Sequence, residues 1–171
     1  MEHLKIVCCQ FDIGFQNWIG FADVKSVPTY FYVKKNSRFG TPNIPIPFEV
    51  AVLNIGEAFD LSSGIFTAPR TGTYFFSFIG LPEFPTSSTL SQMLIALFRN
   101  GNAVGLGVSE EANSLQSQNE QLSIQSTLTL NAGDKIWVEI TSVGAGIFLH
   151  DDNRNYNHFN GRLLEEEFSL S

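Results

Sequence analysis

Residues 48–78 read "FEVAVLNIGEAFDLSSGIFTAPRTGTYFFSF" and set seven aromatic rings (Phe48, Phe59, Phe66, Tyr74, Phe75, Phe76 and Phe78) among glycines, a proline and few charges. Over residues 73–78 a strand would put Tyr74, Phe76 and Phe78 on one face and Thr73, Phe75 and Ser77 on the other. The first set is expected to fill a core. Each buried ring contributes on the order of 1.5–3 kcal/mol, a large share of a domain's net stability. Gly72, just ahead, is expected to supply turn geometry that a side chain would obstruct.

The same strand pattern recurs along the chain. "TYFYVKK" from Thr29, "SQMLIALFRN" from Ser91, "LSIQSTLTL" from Leu122 and "KIWVEITSV" from Lys135 are β-branched or aromatic runs. In the last, Ile136, Val138 and Ile140 alternate with Trp137 and Glu139, which predicts a half-buried strand, whereas Ile124, Ser126, Leu128 and Leu130 share a face only imperfectly. "RNGN" around Asn100 and Gly101, "NAGD" around Ala132 and Gly133, and "APRTG" ending at Gly72 read as hairpin joints. With no helical period between them, these segments imply an all-β fold, an antiparallel two-sheet sandwich or jelly roll of roughly eight to ten strands. The pattern begins near Pro28 and runs out near Glu167, dividing the chain into a leader (1–26), a domain (27–167) and a short tail (168–171). Trp18 and several Phe in the leader suit packing onto the domain.

Composition narrows the function. The 171 residues suit one domain, and 16 Phe with only 16% charged residues describe an aromatic-rich globule and argue against disorder. A formal net charge of −7 and the lack of a basic stripe argue against nucleic acid as partner. "LKIVCC" near the N-terminus, interrupted by Lys5, is too short for a signal-peptide core or a membrane span. His3, His150 and His158 have no G-x-S-x-G nucleophile to serve, and phosphate-loop and H-E-x-x-H motifs are absent, so the chain does not read as an enzyme. In "HDDNRNYNH" from His150, Asp151, Asn153 and Asn155 meet the first three ligand positions of an EF-hand loop, but Tyr156 replaces its glycine and Arg162 its bidentate glutamate. The segment reads as a solvated turn.

Phe48, five residues, Asn54, four residues, Phe59, six residues, Phe66, five residues, Gly72, then Tyr74, Phe76 and Phe78 at alternate positions resembles the signature of the complement C1q globular-head family. "VPTYFYVKKN" from Val27, "NAGDKIWVEI" from Asn131 and "HFNGRLLEEE" from His158 are similar to further strands and a turn of that family, so the resemblance covers about 27–167. It implies a ten-stranded jelly roll, akin to the tumour necrosis factor fold, that assembles as a homotrimer. It also implies a secreted, extracellular module of the innate-immunity type whose loops bind proteins, glycans or microbial surface patterns. The alternative it leaves open is an extracellular ligand for a membrane receptor, or a structural unit. Several members bind calcium near the trimer axis through acidic loop residues. In "SEEANSLQSQNEQ" the matching acids are Glu120 with Glu110 or Glu111, although Ala112 stands where another acid is expected; Asp151 and Asp152 are the second choice. No collagen-like Gly-X-Y run is present, so complement-style triggering is not expected.

The two cysteines, Cys8 and Cys9, are adjacent, and a bond between neighbours would strain the intervening peptide. They suit either bonds between chains or two ordinary thiols in the leader. For the first use, non-reducing gels of material from an oxidising compartment are expected to show covalent dimers or larger species that vanish when both are changed to Ser; monomer bands alone would exclude it.

Overall fold

Thirteen strands account for the alternating segments of residues 27–167, the part of the chain that the computed structural model describes, and no helix occurs among these residues. The leader with Cys8 and Cys9, and the tail from residue 168, lie outside the described residues. The first sheet contains β1 (Tyr30–Lys35), β2 (Val50–Ile55), β5 (Gly72–Gly80), β10 (Leu122–Leu130) and β13 (Asn157–Glu166) in the order β10-β5-β13-β1-β2. The second contains β3 (Phe59–Asp60), β4 (Ile65–Thr67), β7 (Ser91–Arg99), β8 (Asn102–Glu111) and β11 (Lys135–Val143) in the order β3-β4-β11-β7-β8. These two five-stranded sheets are the expected jelly-roll sandwich. Three short strands add a small third sheet, β12-β6-β9: β6 (Pro82–Phe84), β9 (Gln118–Asn119) and β12 (Phe148–Leu149). Their shortness hid them from a reading of periodicity.

The signature rings meet between the sheets. Tyr74, Phe76 and Phe78 are buried while Phe75 points outward, and Ile136, Val138 and Ile140 are fully buried beneath Trp137 and Glu139. Strand β10 alternates more cleanly than expected: Leu122, Ile124 and Leu130 are buried and Leu128 packs against the core, with Ser126 as the polar interruption. Two rings outside the signature sit at the centre. Phe31 of β1 lies 4.5 Å from Phe59, 5.3 Å from Phe66 and 5.0 Å from Phe159 of β13. Phe159 in turn lies 6.0 Å from Phe59 and 6.2 Å from Phe76. Most pairs are tilted or edge-on, as ring quadrupoles favour.

Polar signature residues hold the turns. Asn54 closes the loop between β2 and β3: its Nδ2 donates to the Phe59 carbonyl at 2.9 Å and its Oδ1 accepts from the Phe59 N–H at 3.3 Å. Asn100 and Gly101, with φ of 50° and 88°, form the two-residue β7–β8 hairpin as their left-handed tolerance allows. At the glycine-aspartate turn, Asp134 accepts from Arg99 Nη2 at 2.6 Å, Asn100 Nδ2 at 2.7 Å and the Asn131 N–H at 2.8 Å. Burial is the largest single influence and pushes its carboxyl up, but the hydrogen bonds and the Arg99 charge together outweigh it and hold the group below the ordinary carboxylate range.

Gly72 departs from its expected role. Its backbone is ordinary strand, and what requires glycine is close approach: a Cβ there would run into the Glu165 carbonyl at the bulge of β13. Gly161 shows the same logic in the core, where a Cβ would sit 2.5 Å from Phe31 Cε1 and 2.7 Å from Phe76 Cδ1. Gly161→Ala is therefore expected to destabilise the domain by about 1–3 kcal/mol through overpacking, and Phe159→Ala by about 3–5 kcal/mol through a cavity. Urea unfolding measures both, and a neutral result for either would contradict this packing.

Candidate functional site

Among the described residues two apolar surfaces are exposed, and they are unlike each other. On β8, Val104, Leu106 and Val108 project outward, with Leu106 72% and Val108 57% exposed. The reason lies on the opposite side of the strand. A Cβ on Gly105 would lie 3.2 Å, and one on Gly107 2.9 Å, from Ile124 of β10, so the glycines let β8 close tightly on β10 while the large residues face out.

The second surface is the outer face of the first sheet. Its strand register sets Ile55, Tyr30, Arg162 and Phe75 in one row, and Leu53, Tyr32, Asn160 and Ser77 in the next. Lys34 and His158 are partners beside Ile79 in a third. The cations lie on rings: the Arg162 guanidinium is 5.9 Å from the Phe75 centroid, the Lys34 ammonium 5.4 Å from that of Tyr32. Tyr32 also meets His158 edge-on at 5.7 Å. His158 is half-buried, and its Nδ1 is buried with no hydrogen-bond partner among the described residues. Burial pushes its imidazole below the usual range, partly offset by the Asn155 backbone and reinforced by the Lys34 charge.

Chain direction separates two ends of the sandwich. Both termini of the domain leave at one end, where the Glu167 N–H bonds the Thr71 carbonyl at 3.0 Å. Loops 81–90, 112–121 and 144–156 gather at the other. There His150 Nδ1 and Glu83 Oε2 are 2.6 Å apart, and Ser117 Oγ donates to Glu83 at 3.2 Å.

The candidate calcium acids are distributed over this distal end. Glu110 and Glu111 are successive on β8 and so point to opposite faces, and Glu120 is exposed just before β10. Asp151 is buried and serves the fold, accepting from the Asn155 N–H at 3.1 Å and Asn157 Nδ2 at 3.3 Å. Asp152 is exposed and pairs with Arg154 at 3.4 Å. Within one chain, no three His, Cys, Asp or Glu side chains among the described residues converge as a metal site requires.

A jelly roll with this signature, unlike apolar faces and an exposed loop end defines a class of assembling binding domains. The C1q domain model matches residues 30–164, and the chain belongs to that family. Complement C1q tumor necrosis factor-related protein 3 from Homo sapiens is 31% identical over 136 residues, covering 80% of this chain and 51% of the relative. Caprin-2 from Danio rerio is 32% identical over 134 residues, covering 75% of this chain and 13% of the relative. The chain thus spans about half, or less, of the length of these relatives. Among solved structures, the globular domain of zebrafish complement 1qA protein superposes with a TM-score of 0.63 at 20% identity, covering 81% of this chain and 99% of that one, and shares the fold.

Phe31, Phe159 and Leu106 were not singled out in the sequence, and His158 was weighed there only as a partner for a catalytic nucleophile. Only the alternation in "AVGLGVS" from Ala103, small residues against large, signalled a strand with one side pressed on a neighbour. His158 carries a pH consequence. Its folded form binds a proton less readily than the unfolded chain, so below about pH 6.5 the unfolded chain takes up protons first and stability falls as pH falls; above it the effect vanishes. The melting temperature is expected to drop between pH 7.5 and 5, and to drop less in His158→Gln. An identical slope in the variant would rule this out.

Proposed function

We propose that this chain is a secreted trimeric recognition module, whose distal loops engage protein, glycan or microbial surface patterns. The observation that carries the reading is the pair of unlike apolar faces. A patch that matches a copy of itself gives a two-fold dimer, whereas two different patches on one chain give a head-to-tail contact that closes into a ring. The row Val104, Leu106 and Val108 of one copy packs against the ring-bearing face around Tyr30, Tyr32 and Phe75 of the next, and three such contacts complete the trimer. Exposed apolar area of this kind on a single chain marks an association surface.

The distal loops then lie opposite the end where the described residues 27 and 167 stand, free to meet a ligand. The likeness of the domain to C1q-related relatives supports binding rather than catalysis, and an extracellular setting. Among the described residues no helix is long and apolar enough to cross a membrane.

Light scattering under reducing conditions is expected to give three times the 19.0 kDa chain mass. Leu106→Glu, at an exposed position that does not perturb the core, is expected to yield a folded monomer, because assembly would bury an unpaired carboxylate. A monomer in the unaltered chain, or a trimer that survives both Leu106→Glu and Tyr32→Glu, would overturn the proposal.

A further inference from the structure

The two faces assigned to assembly differ in charge as well as in shape. On β8, Glu110 follows Leu106 and Val108 at alternate positions, so it shares their outward side, and it is exposed. A groove of about 300 Å³ runs beside them, with Leu94, Leu106 and Val108 as apolar walls. Glu110 and Gln92, which are cross-strand partners, bound it toward the distal loops. Farther across the same side, Glu139 is engaged by Trp137 Nε1 at 3.0 Å. Glu110 has no hydrogen bond or ion pair within the chain among the described residues.

The ring-bearing face of the first sheet carries the opposite sign. Lys34, His158 and Arg162 stand on it, and neither Lys34 nor Arg162 pairs with a carboxylate of its own chain among the described residues. The Lys34 ammonium lies 5.4 Å from the Tyr32 ring centroid, and Tyr32 meets the His158 ring edge-on. Together they present an apolar plate tipped with positive charge, which complements an apolar groove ending in a carboxylate.

Height along the strands selects the cation. A three-fold ring that keeps its distal loops at one end has its axis along the strands, so each residue holds the same height in every copy. A Cβ on Gly107 would lie 3.1 Å from the Ser123 carbonyl. Ser123 shares a row with Ile79, His158 and Lys34. Val108 is thus level with Lys34, and Glu110 lies about 7 Å farther toward the distal loops, a step within reach of lysine's flexible four-carbon stem. Arg162 stands lower, in the row of Phe75 and Tyr30, level with the start of β8, where the strand carries no carboxylate.

We infer that Lys34 of one copy enters the β8 groove of the next and pairs there with Glu110, and that this contact directs the chain to assemble with copies of itself. The inference rests on the head-to-tail trimer reading and deepens it by naming the contact that selects the partner. A C1q-type chain lacking either charge would leave the other buried and unpaired, so the pair acts on partner choice more than on affinity.

Light scattering over a dilution series of the full chain at low salt tests the pair. Glu110→Lys and Lys34→Glu are each expected to raise the concentration of half-dissociation about tenfold or more, because like charges then meet. The variant carrying both substitutions is expected to return it to within about threefold of the unaltered chain. Circular dichroism is expected to show the same β spectrum throughout. In a ring mixing the double variant with the unaltered chain, both contacts between unlike chains set like charges together. An affinity-tagged unaltered chain is therefore expected to capture untagged unaltered chain after equilibration, and not the double variant. The inference is overturned if trimers tolerate either single reversal, if the double variant fails to recover, or if mixed trimers form freely. An unaltered chain that is itself a monomer overturns the trimer reading and this inference with it, so the two failures are told apart.

Discussion

The ring of Phe159 touches both layers of the sandwich, and most of the domain is arranged around that contact. It lies 5.0 Å from Phe31 and 6.4 Å from Phe78 in its own sheet, and 6.0 Å from Phe59 across the core. Rings this large fill the roughly 10 Å between sheets only if backbone makes room for them. Gly161, two residues along the same strand, does so by leaving space that Phe31 and Phe76 occupy. The aromatic payload of residues 48–78 and the glycine in β13 are therefore one device in two parts, far apart in sequence.

Polar groups at the margins serve the same core. Lys35 is buried, yet its ammonium donates to Glu49 at 2.7 Å and to the Pro47 carbonyl at 3.2 Å, and lies 5.1 Å from the Phe39 ring centroid. Burial would raise the Glu49 carboxyl, but hydrogen bonds from Lys35, Ser37 and the Asn36 N–H prevail and hold it low. An unpaired ammonium could not remain there, so the Glu49 and Pro47 partners, both in the long loop between β1 and β2, are tied to Lys35. Tyr74 follows the same rule: its ring is in the core while its hydroxyl reaches the Arg70 carbonyl at 2.8 Å, and burial raises its ionisation above the usual range.

Glycine also shapes the outer surface. Because Gly105 and Gly107 bring β8 onto β10, the strand has no room for large residues inward, and Leu106 and Val108 are left facing solvent. This exposed apolar row is a consequence of how the sandwich closes at that edge. The distal loops are built differently, from short side-chain-to-backbone bonds such as Ser114 Oγ to the Gln116 carbonyl at 2.9 Å, which hold a polar rim without a core.

The all-β class, the core face of β5 and the hairpin at Asn100 and Gly101 are legible in the residues themselves, because alternation and left-handed turns are local properties. The family signature is legible for a related reason: each of its positions is a ring in the core, a clamp such as Asn54, or a glycine under a neighbouring strand. The reason Gly72 must be glycine is not local, since the obstructing carbonyl belongs to Glu165. Nor does the sequence reveal that Phe31 and Phe159 meet, or that Gln92 and Glu110 are cross-strand partners beside Leu106 and Val108. Those pairings arise when strands remote in the chain take neighbouring places in a sheet, and strand order and register are settled by the packing of the whole core rather than by any segment of it.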